Sequence, residues 1–152
     1  MSKRTYRKLG ITDLQLLINT RNDKDALEMW AVDEESARLF LSNPANYFFA
    51  CIEDNKIIGY VCGHELNRLD GTVNMLYIHG VGVHAAYRQQ GVGKQMMTNI
   101  KQLCKLSGIR KIFLYTHKTN TAACALYDST GGNATRCDNV SYFYNDIEEA
   151  SQ

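Results

Sequence analysis

The sequence lacks the features that mark membrane, secreted and multidomain proteins. Its 152 residues include no apolar run near the roughly 18 residues that a membrane-spanning helix needs. The basic N-terminal segment is not followed by the apolar core of a secretory signal. One proline and scattered glycines mark no linker. We therefore expect one domain over residues 1–152, a cytoplasmic location and no membrane contact.

Strong net charge and metal-ligand spacing are also missing. The formal net charge is +1, and no basic stripe with interleaved aromatic residues runs along the chain, so we expect no nucleic-acid partner. The five cysteines form no C-x-x-C pair, and their odd number does not suit a disulfide framework. Reduced thiols and no bound metal are the expectation.

The order of predicted elements indicates an α/β domain. A strand at residues 6–9 precedes two helices. Asp33 is the predicted N-cap of the second helix. Three strands rich in β-branched and aromatic residues follow. These strands are predicted at residues 47–52, 57–63 and 72–83. Further along the chain we predict a helix at residues 92–107, a strand at 111–116, a helix at 120–129 and a strand at 140–145.

This order predicts a mixed sheet. The three consecutive strands form an antiparallel meander, whereas strand–helix–strand across residues 72–116 requires one parallel crossover. The last strand, residues 140–145, is expected to pair with residues 134–137. The prediction is a mostly antiparallel sheet that is flanked by helices on both faces.

One segment joins the end of a strand at Val83 to the first turn of a helix at Lys94. Gly91 and Gly93 stand at the junction, where main-chain N–H groups without partners commonly bind phosphate. Arg88 adds positive charge, as does Lys94. Neither the Walker nor the Rossmann glycine pattern is present. A pyrophosphate is the ligand that this pattern favours, and a turn that only begins the helix is the alternative.

Two segments together resemble the GNAT superfamily of N-acetyltransferases. Arg88-x-x-Gly91-x-Gly93, after a strand, is similar to the family's acetyl-CoA pyrophosphate loop. The downstream helix from Asn120 to Tyr127 is similar to the family's asparagine-to-tyrosine helix. The resemblance covers nearly the whole chain. It implies a GNAT-like sheet with a splayed parallel pair and acetyl-CoA as cosubstrate.

The resemblance also implies which residues bind acetyl-CoA. Main-chain groups of Val81 and Val83 would hold the pantetheine arm and polarise the thioester carbonyl. Asn120 would bind the same arm. The residues implied in pyrophosphate binding follow the strand: Arg88, Gln89, Gln90, Gly91, Val92, Gly93 and Lys94.

Two residues are candidates for proton transfer. Tyr127 matches the family's tyrosine near the thioester sulfur, whose phenol protonates the leaving thiolate; a core tyrosine is the alternative. The attacking amine must lose a proton, and His79 is the candidate base. Some family members that acetylate arylalkylamines carry a histidine at the matching position. Strand alternation predicts that Tyr77, His79, Val81 and Val83 share one face, and a core histidine is the alternative.

The resemblance leaves several acceptors open. The hairpin-to-loop spacing, residues 125–127 and the acidic tail are similar to aminoglycoside 3-N-acetyltransferases. Glu65, Asp70 and Asp146 would then bind a polycationic sugar. Gly80 stands where that group usually carries an acidic residue. The alternatives are a small metabolite amine, a polyamine, a protein or peptide amine, and a sensor that binds acetyl-CoA without catalysis. Homodimers are common in the family.

Overall fold

A computed structural model describes residues 2–135 and 140–148. Within them, neighbouring strands of a five-stranded sheet follow in chain order. The strands are β1 (Thr5–Lys8), β2 (Asn46–Glu53), β3 (Lys56–Leu66), β4 (Asn74–Val83) and β5 (Ile109–Leu114). All neighbouring pairs are antiparallel except β4 and β5, which are parallel. The predicted mixed and mostly antiparallel sheet is confirmed.

The described residues form four α-helices, and the two with predicted bounds, residues 92–107 and 120–129, begin and end within one residue of them. The four helices are α1 (Leu14–Ile18), α2 (Glu34–Ser42), α3 (Val92–Leu106) and α4 (Thr121–Ser129). The carboxylate of Asp33 accepts the N–H of Ser36 at 2.9 Å, which caps α2 as predicted. Gly108 follows α3 with φ of +79°, the left-handed conformation of a helix-ending glycine. Among the helices described, none is both long and apolar enough to cross a membrane.

The sheet is covered on both faces. On one face α3 buries Met96, Ile100 and Cys104 against the apolar side chains of the central strands. On the other face α1 and α2 bury Leu17 and Leu41 against a second set of strand residues. Helices on both faces were predicted, and the two cores leave the ends of the strands accessible for a site.

The strands β4 and β5 pair only over the first half of β4. The register runs from Asn74 opposite Ile109 to Ile78 opposite Leu114, where β5 ends. Residues 79–83 of β4 continue beside β3 but have no partner on β5 within the described residues. This separation is the splayed parallel pair that the family resemblance implied. It leaves one side of the β4 main chain free to bond a ligand.

The prediction of a strand at residues 140–145 is wrong. Residues 140–148 have no regular secondary structure, and Tyr142, Phe143 and Tyr144 are exposed. Of the expected partner, residues 134 and 135 are also irregular, and residues 136–137 lie outside the described residues. Aromatic and β-branched residues favour a strand only where a neighbouring strand and a covered face are present.

Candidate active site

The loop between β4 and α3 has the backbone form of an anion site. Gln89 and Gly91 are both left-handed, with φ of +59° and +78°. Gly91 is the N-cap of α3 and brings no side chain to cap it, and the first bond of the helix runs from the N–H of Gln95 to the carbonyl of Gly91. The main-chain N–H groups that precede Gln95 in the first turn of α3 are therefore available to bond a ligand. A Cβ on Gly91 would meet no atom within 4 Å, so the approach is open.

The two predicted cations of this loop have different surroundings. The guanidinium of Arg88 bonds the carboxylate of Glu28 at 3.0 Å and the carbonyl of Val83 at 3.2 Å. Its charge thus already faces a carboxylate from the segment before α2. Lys94 is exposed in the first turn of α3. We interpret Lys94 as the cation that is available to a phosphate.

Gly93 lies where β4, α3 and α4 meet. A Cβ at this position would lie 3.3 Å from Cδ2 of Leu126 on α4 and 3.7 Å from Cγ2 of Val83 on β4. The absence of a side chain therefore lets α4 pack against the first turn of α3. Sequence analysis assigned Gly93 only to phosphate binding, and this packing role was missed because its partner lies on another helix.

Tyr127, next to Leu126 on α4, is partly buried against the core that α3 covers. Burial raises the pKa of its phenol, and the nearby Cys124 thiol adds to that rise. The carbonyl of Tyr127 accepts the N–H of Gly132 at 2.8 Å, which ends the helix. A phenol with a raised pKa stays protonated at neutral pH and can act as a proton donor.

Asn120 begins α4. Its side-chain oxygen accepts the N–H of Ala123 at 3.1 Å and so caps the helix. The side-chain NH₂ remains as a donor for a ligand. The predicted cofactor contact of Asn120 and the cap can therefore coexist.

His79 is the extra residue of a β-bulge in β4. Cys62 on β3 pairs with Gly80, whereas the next residue, Gly63, pairs with Ile78. The bulge interrupts the alternation of side chains. Ile78 and Val81 both contact the core beneath α3, and His79 instead contacts Trp30 on the opposite face. The prediction that His79 shares a face with Val81 and Val83 is therefore wrong.

The imidazole of His79 lies among aromatic rings. Its centroid is 5.2 Å from that of Trp30, 5.0 Å from that of His64 and 6.2 Å from that of Tyr77. Partial burial lowers the pKa of His79, and the charge of His64 lowers it further. A neutral imidazole with a free lone pair is the form that can take a proton from an amine.

The segment before α2 lies directly on two glycines of β4. A Cβ on Gly80 would lie 2.4 Å from Cη2 of Trp30, and a Cβ on Gly82 would lie 2.4 Å from the carbonyl oxygen of Leu27. The indole therefore occupies the space of any side chain at position 80. Sequence analysis missed Trp30 because residues 22–32 carry no clear periodicity. These residues contain the end of a 3-10 helix, hydrogen-bonded turns and irregular structure.

Two of the three predicted substrate carboxylates have local partners. Glu65 accepts the hydroxyl of Tyr47 at 3.1 Å and the side-chain NH₂ of Asn74 at 2.9 Å. Asp70 pairs with Arg68 at 2.7 Å, and this bond holds the pKa of its carboxyl well below the usual range. Asp146 is exposed in the irregular segment 140–148. Within residues 2–135 and 140–148, no acidic, histidine and cysteine side chains gather as a metal site requires.

Comparison with known proteins identifies the family of this fold. The profile of the acetyltransferase (GNAT) family matches residues 14–131, which include the β4–α3 loop and α4. The chain belongs to the GNAT family. The loop, the separation of β4 from β5 and the helix of Tyr127 are thus parts of a GNAT acetyltransferase domain.

Solved structures of similar fold include several acetyltransferases. An aminoglycoside acetyltransferase from an uncultured soil metagenomic sample, in complex with sisomicin, is 23% identical with a TM-score of 0.78. The alignment covers 95% of this chain and 97% of that one. The aminoglycoside N-acetyltransferase AAC(6')-Iy in complex with CoA is 18% identical with a TM-score of 0.74, and 97% of each chain is covered. At these identities the likeness concerns the fold alone.

A curated relative matches over a shorter stretch. GCN5-related N-acetyltransferase 6, chloroplastic, from Arabidopsis thaliana is 31% identical over 62 residues. The match covers 41% of this chain and 22% of the length of that relative.

Proposed function

We propose that the protein transfers an acetyl group from acetyl-CoA to a primary amine, by direct attack within a ternary complex. One observation carries the proposal. Residues 79–83 of β4 separate from β5, and the loop that follows β4 leads to a helix N-terminus at Gly91 that no side chain caps. A strand with free main-chain groups next to an anion site suits a long ligand that ends in a pyrophosphate.

The chain offers a donor for each part of acetyl-CoA. The main-chain N–H groups of residues 89–94 and the ammonium of Lys94 would bind the pyrophosphate. The free edge of β4 at Val81 and the side-chain NH₂ of Asn120 would bond the pantetheine amides. Acetyl-CoA itself supplies an acetyl group activated as a thioester.

Two side chains would move protons. Neutral His79 takes the proton of the ammonium, directly or through a water molecule, and leaves the nitrogen lone pair free to attack the thioester carbonyl carbon. The carbon–sulfur bond breaks as the carbon–nitrogen bond forms. The phenol of Tyr127 then gives its proton to the sulfur, and the new amide nitrogen releases its second proton to solvent. Proton exchange with solvent restores both residues.

The acceptor is supported less directly than the reaction. The names of the metagenomic acetyltransferase and of AAC(6')-Iy make an aminoglycoside the first acceptor to test. Two of the three carboxylates expected to bind such a polycation are engaged locally, Glu65 with Tyr47 and Asp70 with Arg68. A small metabolite amine or polyamine and a protein or peptide amine are therefore tested beside it.

Calorimetric titration with acetyl-CoA, followed by a thiol-release assay, tests the proposal. The assay should include aminoglycosides, polyamines, small metabolite amines and peptides. Binding with thiol release on one class of amine supports the transferase. Binding without release on every amine favours a sensor of acetyl-CoA. Failure to bind acetyl-CoA would contradict both and leave the glycine loop as a structural turn.

A further inference from the structure

Two residues that have no part in the proposed reaction hold the imidazole of His79. The sulfur of Cys62 lies 3.5 Å from Nε2 of His79, across the bulge of β4. The ring of His64 stacks on that of His79, with centroids 5.0 Å apart and planes inclined by 12°. Cys62 is 4% exposed, and this burial raises the pKa of its thiol to about 12. The thiol is therefore protonated and uncharged at neutral pH.

His64 is itself anchored through a chain of hydrogen bonds. Its Nδ1 lies 2.8 Å from Oδ1 of Asn46. The amide of Asn46 is oriented by its Nδ2, which donates to the carbonyl of Phe40 at 3.2 Å. The Asn46 oxygen must therefore accept, and Nδ1 of His64 must carry the hydrogen. The ring of Phe40 meets that of His64 edge-on at 5.6 Å, so the ring of His64 is fixed from two directions.

From this arrangement we infer that Cys62 and His64 are positioning residues for His79. The sulfur of Cys62 accepts the Nε2–H of His79, which leaves Nδ1 as the nitrogen that takes the proton. His64 fixes the plane of the ring by stacking on it. The inference rests on the proposed role of His79 as base.

The direction of the bond at Cys62 decides which nitrogen is basic. If the sulfur accepts, neutral His79 carries its hydrogen on Nε2 and a lone pair on Nδ1. If the thiol donated, Nδ1 would carry the hydrogen and the base would have no free lone pair outside this bond. Among residues 2–135 and 140–148, the titratable groups that face His79 are Cys62, His64 and Tyr77. Of these, only His64 can add a second positive charge beside it.

Nitrogen-15 NMR of the imidazoles tests the inference in the intact protein without any acceptor. We expect neutral His79 in the Nε2–H form and neutral His64 in the Nδ1–H form. Cys62→Ser keeps an acceptor and should preserve the His79 tautomer, whereas Cys62→Ala should leave a mixture. An Nδ1–H tautomer of His79 in the wild-type protein would overturn the inference. This result does not depend on activity, so it is separate from the outcome for the proposed function.

Kinetics provide the second readout. We expect Cys62→Ala to lose about three- to tenfold in kcat, the effect of one net hydrogen bond, with KM for acetyl-CoA unchanged. Cys51→Ala is the matched control because Cys51, on β2, is also buried. If both alanine variants lose the same activity, or if Cys62→Ser recovers none of it, the loss reflects packing and the positioning role is wrong.

The role of His64 is tested by a pair of substitutions. His64→Phe keeps a ring for stacking, and His64→Ala removes the ring, its charge and its shielding from solvent. Burial and the charge of His64 both lower the pKa of His79, and both effects weaken in His64→Ala. The acidic limb of the kcat/KM profile of His64→Ala should therefore move to higher pH. His64→Phe should retain most of kcat and show a smaller movement. Equal profiles for wild type and His64→Ala would overturn this part of the inference.

Discussion

The indole of Trp30 lies on the main chain of Gly80, so close that a Cβ there would be 2.4 Å from Cη2 of the indole. Trp30 remains 50% exposed, and its other neighbours include His79 and Tyr60. Position 80 therefore has no room for a carboxylate while Trp30 keeps its place. Aminoglycoside 3-N-acetyltransferases usually carry an acidic residue at this position. Glycine is required here because Trp30, from another part of the chain, fills the space of a side chain.

A methyl group at position 80 should destabilise the fold. Gly80→Ala must displace Trp30 or the strand, and we expect a loss of about 1–3 kcal/mol in the free energy of unfolding. Gly10→Ala is the control, because a Cβ on Gly10 meets nothing within 4 Å and its φ of −121° suits any residue. Urea unfolding measures both. The double variant Trp30→Ala with Gly80→Ala should be less destabilised than the sum of the single ones, and strict additivity would contradict the contact.

Gly91 and Gly108 offer a matched pair at the two ends of α3. Their φ angles are +78° and +79°, and a Cβ on either would meet nothing within 4 Å. Alanine at each should cost about 1–2 kcal/mol of stability through backbone strain alone. Only Gly91→Ala should weaken acetyl-CoA binding as well, because the methyl group would enter the anion site. Calorimetry separates the two effects, and equal affinity in both variants would argue against a phosphate site at Gly91.

Tyr127→Phe should lower kcat and leave the affinity for acetyl-CoA unchanged. Removal of a proton donor in the transition state reduces rates by about 10²- to 10⁴-fold. Tyr115→Phe is the control, because Tyr115 is 77% exposed and follows β5. Stopped-flow thiol release and calorimetric binding are the measurements. A kcat within twofold of wild type would assign Tyr127 to packing only.

The pH profile of kcat/KM should report on His79. The base must be neutral, and its pKa lies below the ordinary value of 6.5, so the rate should rise with pH through a midpoint below 6.5. The raised pKa of Tyr127 keeps the phenol protonated, so an alkaline limb from that residue should appear only above its ordinary value of 10.0.

Substitution of His79 checks the origin of the acidic limb. In His79→Gln the limb should disappear and kcat should fall by about 10²- to 10⁴-fold, the usual contribution of a general base. His117→Gln is the control, an exposed histidine after β5. Persistence of the same limb in His79→Gln would assign it to another group, such as the acceptor amine.

Local patterns were enough to predict most of the fold. The cap at Asp33, the helix predicted at residues 92–107 and the strand runs of the meander depend on neighbouring residues in the chain, and each is confirmed. The strand predicted at residues 140–145 is wrong because the strand-type side chains there are exposed, and such residues favour a strand only beside a partner and under a covered face. The β4–α3 loop was also predicted from neighbouring residues. The left-handed conformation at the start of α3 favours glycine, and Gly91 stands there in the sequence.

The rest of the site depends on contacts between distant segments. No local signal announces the bulge at His79, because alternation in the sequence continues through it. The contact between Gly93 and Leu126 joins two helices, and that between Trp30 and Gly80 joins a loop to a strand. Residue types were therefore enough to predict candidate catalytic and binding residues. The face of the sheet on which each side chain lies, and the residues that it contacts, could be learned only from the structure.

The divergence of β4 from β5 also bears on the handling of the protein in solution. Residues 79–83 have no partner on β5 and therefore form a strand edge inside the sheet. Exposed strand edges can pair with strands of other chains. A bound cosubstrate that occupies this edge would shield it and would stabilise the folded form by mass action. We therefore expect the protein to aggregate more readily when acetyl-CoA, the proposed cosubstrate, is scarce, so that the supply of acetyl-CoA would help to set how much folded protein is present.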